Sequence, residues 1–99
     1  MLTVTVRCEA TAHPHTGARP LLLATDIARS PRLALRWLRN RAQHIANQLD
    51  PPHAQPLRHW LVDEAAHEHA LHLLATGHPY HLTAYDDEAH YHLHAEPLR

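Results

Sequence analysis

From Leu2 to Ala12 the chain alternates without exception: Leu2, Val4, Val6, Cys8, Ala10 and Ala12 hold one phase, and Thr3, Thr5, Arg7, Glu9 and Thr11 the other. A period of two over that length cannot be a helix face, which repeats every 3.6 residues, and describes a strand with one apolar and one wet side. An apolar sheet face must be covered, so this stretch restricts the chain to folds that lay a second set of elements on a sheet. Pro14 and Gly17 in "HPHTGA" then supply a reversing loop, and "RPLLLAT" reads as the returning strand. Its three leucines break the alternation. The reading adopted turns Leu21 and Leu23 inward and leaves Leu22 on the outer face.

Two helices are expected next. Ser30 before Pro31 is a hydroxyl cap followed by a residue whose missing N–H costs nothing at the first helical position. Leu35, Leu38, Ala42, Ile45 and Leu49 then repeat at three- and four-residue spacing until Asp50-Pro51-Pro52. The second helix is expected to start near Pro56 and to end at Gly77, with Pro79 beyond it, after a seven-residue, Pro-rich connection. Its apolar residues form two groups, Val62, Ala66, Ala70, Leu73 and Leu74 on one side and Leu57, Trp60, Leu61 and Leu71 on another. Such a helix packs on two neighbours: the first helix with the sheet, and a second subunit.

The segment "YHLTAYDDEAHYHLHAEP" gives two alternating runs around Asp86, Asp87 and Glu88. If Tyr85 pairs with His90, Leu82 meets Leu93 and Ala84 meets Tyr91 on one face, while Thr83 meets His92 and His81 meets His94 on the other. A slip of one residue sets apolar against polar throughout, so the pattern fixes the register. The order β-β-α-α-β-β predicts an α+β fold, a two-layer sandwich of a four-stranded, mainly antiparallel sheet with two helices on one face, as a single domain over residues 1–99.

Ninety-nine residues can close one core without disulfides, and an apolar fraction of 44% with a net charge of −1 is that of a globular protein. There is no Lys and no Phe, whereas His occurs 13 times. That bias fits a GC-rich bacterial or mobile-element origin, and it weakens histidine count as evidence, because such a chain spends His on ordinary polar surface. The single Cys8 rules out an internal disulfide and a Cys-rich zinc fold. "MLTVTVRCEA" lacks the basic-then-apolar layout of a secretory leader and no apolar run nears the ~20 residues of a membrane span, so a cytoplasmic protein without membrane contact is expected.

Three surfaces carry candidate chemistry. In "HYHLH", side chains two apart on a strand point the same way, about 6.5–7 Å apart, and His92 and His94 with cross-strand His81 form a candidate site for zinc or nickel. The competing reading is a solvated sheet face. On the second helix the rows His59-Asp63-His67 and Glu64-Glu68-His72 read as i, i+4 pairs; "EAAH" has the Glu-x-x-His spacing of di-iron bundles, but the first helix offers no matching carboxylates. Arg29, Arg32, Arg36 and Arg39 fall within a sector of about 80° beside the leucine stripe, suited to an acidic partner or to phosphates. Against nucleic acid stand the neutral net charge, the lack of interleaved aromatics and the long helix connection.

Trp37 and Trp60 read as core-edge packing, and Leu22, Leu57, Leu61 and Leu71, without an obvious home, point to a homodimer. No nucleophile motif is visible, since Ser30 is wanted as a cap and Cys8 points into the core. The expectation is a small non-enzymatic binding or regulatory protein, recognising a partner protein first and nucleic acid second through the arginine row, with outer-face Tyr85 as a further contact. A divalent-metal-binding protein and a small enzyme with a histidine general base are the alternatives.

Overall fold

The computed structural model describes residues 4–98; Leu2 and Thr3, which open the alternation, lie outside them. The elements are β1 (Val6–Pro14), β2 (Leu21–Ala28), α1 (Pro31–Gln48), α2 (Pro51–Leu61), α3 (Glu64–Ala75), β3 (Tyr80–Tyr85) and β4 (Ala89–Pro97). The strands form one antiparallel sheet in the order β2-β1-β4-β3, so the fold is α+β as expected. The two central strands come from opposite ends of the chain and pair from Val6 with Pro97 to Pro14 with Ala89. Between β3 and β4 the register is the expected one at every position, from Tyr85 with His90 to His81 with His94.

The helices number three among the described residues, not two. Asp50-Pro51-Pro52 stops α1 and also starts α2: the Asp50 carbonyl accepts from the N–H groups of His53 and Ala54, both at 2.9 Å, and the prolines occupy the first turn. The connection is therefore only Leu49 and Asp50, and Pro56 lies inside α2. The continuous helix expected over residues 56–77 breaks at Val62-Asp63. Asp63 caps α3, its carboxylate accepting from the Ala66 N–H at 3.0 Å, and Val62, expected on an apolar face, is 78% exposed at the joint.

One core cluster joins Val6, Cys8 and Ala10 of β1, Leu93 and Ala95 of β4 and Ala84 of β3 to Leu38 and Ala42 of α1, Leu57 of α2 and Leu74 of α3. Ile45 and Leu49 complete the α1 stripe, half-buried against it. The alternate positions of the central strands, Arg7, Glu9, Thr11 and His13 on β1 and His90, His92, His94 and Glu96 on β4, share the opposite face.

Leu22 lies on the outer face opposite Thr11 as expected, but the expected burial of Leu21 and Leu23 is overturned. Leu21, Leu22 and Leu23 are all exposed, and only Ala28 of this strand is buried. Ala10 pairs with Ala24 but Thr11 with Leu22, so Leu23 is an extra residue, and alternation by twos cannot be carried across such a bulge. Leu57, Leu61 and Leu71 do find homes: Leu57 is in the core, Leu61 packs against it and Leu71 is half-buried.

Candidate metal centre

The open face of the sheet is built by cross-strand pairs, which share a side. His13 stands opposite His90, Thr11 opposite His92 and Glu9 opposite His94, and on the far side of β4 the same residues meet Tyr85, Thr83 and His81. The β3–β4 turn holds this alignment. Asp86 accepts from the N–H groups of Glu88 and Ala89, each at 2.8 Å, and from the Tyr91 hydroxyl at 3.0 Å. Burial works to raise its pKa, but these hydrogen bonds hold the carboxyl below the ordinary range.

Within this face His13, His90 and His92 converge. The His13 and His90 rings stack in parallel with centroids 4.8 Å apart, and His92 meets both edge-on at 4.7 and 4.9 Å. One ring nitrogen from each lies within 4.8 Å of the others, and all three side chains are half-buried. The Thr11 hydroxyl lies 3.0 Å from His13 Nε2. A further imidazole, that of His15, has its ring 5.9 Å from that of His90.

This is not the set picked from the sequence. His81 and His94 stack on each other at 6.3 Å and stand apart from the trio, which takes only His92 from that set. His13 was missed because Pro14 and Gly17 place "HPHTGA" in a loop, whereas β1 runs on through Pro14. The available signal was the alternation itself: His13 holds the next wet-phase position after Thr11.

Burial first, and then the neighbouring imidazoles of His13, His90, His81 and His94, hold the His92 pKa below the ordinary histidine value. Neutral imidazoles with free lone pairs are the form in which histidine ligates a metal. A tetrahedral zinc with ligands at about 2.1 Å needs nitrogens about 3.4 Å apart, so the trio would have to close from within 4.8 Å to hold one. Cys8 offers nothing to such a site: it points to the other face and burial, then Asp26, pushes its thiol up to about 11.

The arginine row is exposed at Arg29, Arg32, Arg36 and Arg39. Arg32 and Arg39 line an open groove of about 420 Å³ whose other wall is α3, with Glu64 and Glu68. A nucleic-acid backbone laid along the row meets those carboxylates, a repulsion that the shorter helix connection does not remove. His67, expected in a surface row with His59 and Asp63, is buried instead, its Nε2 2.9 Å from the Trp60 carbonyl oxygen. Trp60 donates to the Tyr80 hydroxyl at 2.8 Å, and Trp37 packs against the core under the Arg41 guanidinium. Tyr85 is exposed, its ring 5.8 Å from His90. The Ser30 hydroxyl is spent on capping α1, accepting from the Leu33 N–H at 3.1 Å. No protein-family model, no curated protein and no solved structure matches this chain.

Proposed function

We propose that this protein binds a divalent transition-metal ion, zinc or nickel, through His13, His90 and His92. The observation that carries this reading is the approach of three imidazole nitrogens to within 4.8 Å on the two central strands of the sheet. Imidazole nitrogen suits zinc, nickel and copper, whereas calcium and magnesium prefer oxygen. The Thr11 hydroxyl, 3.0 Å from His13 Nε2, is a partner for that ring: in the tautomer that donates Nε2–H to the hydroxyl, the His13 Nδ1 lone pair is left for the ion. Three neutral ligands leave a coordination position for water or for a ligand brought by another molecule.

Recognition of a partner protein through Arg29, Arg32, Arg36 and Arg39 ranks second, because two of the four, Arg32 and Arg39, share their groove with Glu64 and Glu68. Phosphate recognition ranks below it for the same reason.

The test is calorimetric titration of metal-stripped, untagged protein with zinc and with nickel. One ion per chain is expected, with binding lost in His13→Ala and in His92→Ala and kept in His81→Ala and His94→Ala. Equal affinity in all four variants sinks the assignment, and so does the reverse pattern of losses.

A further inference from the structure

We propose that the β2 edge pairs with the same edge of a second copy, antiparallel across a two-fold axis, to make one continuous sheet. The inference does not rest on metal binding.

The two edges of the sheet, β2 and β3, are defended differently. β3 is six residues long and runs straight into Asp86, Asp87 and Glu88, a short strand with charge at its end. Proteins commonly block strand edges in this way. β2 is eight residues long, has Asp26 as its one charged residue, and exposes Leu21, Leu22, Leu23 and Ile27 at 59, 61, 48 and 52%. Four large side chains about half open amount to a few hundred Å² in each copy, which a two-fold contact doubles. With the strand edge and flanking residues added, this approaches the ~1,200 Å² at which specific interfaces become stable.

Charge selects a second copy as the occupant. An antiparallel pair centred on Leu22 and Leu23 sets Arg19 of one copy opposite Asp26 of the other, and the symmetry repeats the pair. Both residues are exposed and, among the described residues, neither makes an ion pair, the Asp26 carboxylate accepting only from the Ile27 N–H at 2.8 Å. The bulge makes the two ends compatible: Leu21, Ala24 and Asp26 oppose Ala12, Ala10 and Cys8 and so share a face, and extending the strand by two residues before Leu21 in the dimer would bring Arg19 onto it. A strand carrying a cation before one end and an anion near the other complements its own reverse.

Sedimentation equilibrium of the full chain in a chelator tests this apart from any metal bridge. The expected result is a species of twice 11.3 kDa, with at least tenfold weaker association in Arg19→Asp, in Asp26→Arg and in Leu22→Lys, and recovery when Arg19→Asp and Asp26→Arg are combined. Circular dichroism of each exposed-site variant checks that the fold is kept. A wild-type monomer up to near-millimolar concentration overturns the proposal, whatever foreign strand it then captures. A dimer indifferent to all three single substitutions overturns it too, and failure of the combined variant to recover overturns the Arg19–Asp26 register.

Discussion

His92 illustrates how a single side chain ties the sheet face to pH. Its pKa lies below the ordinary histidine value because burial, and then the imidazoles around it, penalise the charged form. Below about pH 6.5 the unfolded chain therefore binds a proton that the folded chain resists, and stability falls as pH drops from there toward the lowered value of the folded state. Above that window His92 contributes no pH dependence. Asp86 carries the same sign in a lower window: its lowered pKa gives stability that is present above the ordinary carboxylate value and lost as pH falls from about 4 toward the lowered value of the folded state, so the two effects separate by pH. The expected outcome for metal-stripped protein is a urea midpoint that declines between pH 7 and 5, with a shallower decline in His92→Asn. An unchanged slope in that variant assigns the effect to other histidines.

At the level of elements, caps decide where helices begin, and Asp63 is the instructive case. The same carboxylate fits the polar face of a long helix or the cap of a new one, and the apolar period running through residues 57–74 favours the first reading on paper. The structure uses it as a cap, so α2 and α3 are separate bodies. Asp63→Ala is expected to cost about 1 kcal/mol, and Asp63→Ser a few tenths, by chemical denaturation. Comparable losses in both would mean that the carboxylate does something other than cap.

What was legible from the residues was what repeats locally: the β1 alternation, the Ser30-Pro31 start, the β3–β4 register. What was not legible has one of two causes. Asp50-Pro51-Pro52, Asp63 and Leu23 are points where one residue type satisfies two opposite local rules. The pairing of His13 with His90 joins strands from the two ends of the chain, and no local pattern in a single sequence brings them together.

For the whole molecule, the decisive feature is a core with few large members. Leu38, Leu74 and Leu93, one each from α1, α3 and β4, are the largest fully buried side chains, and Ala10, Ala28, Ala34, Ala42, Ala46, Ala54, Ala84 and Ala95 fill most of the rest. Alanines let the helices approach the sheet closely but bury little apolar area each, so the three leucines carry a disproportionate share of the stability. Removing one leaves a cavity as well as lost burial, a cost of about 2–5 kcal/mol against a total of roughly 5–15 for a domain.

Leu93 is the informative one, because its neighbour His92 projects from the opposite face of the same strand. Core packing and imidazole geometry are thus properties of one backbone segment, and a ligand that binds only the folded state must offset damage on the other side of it. Leu93→Ala is expected to lower stability by about 3 kcal/mol without metal, and zinc at a hundredfold excess over its dissociation constant to return about 2.7 kcal/mol. Leu93→Ala combined with His92→Ala is expected to show the loss and no zinc-dependent recovery. Denaturant titrations of both variants with and without zinc measure this directly; recovery in the double variant places the ion elsewhere, and no recovery in Leu93→Ala means that the trio does not hold it.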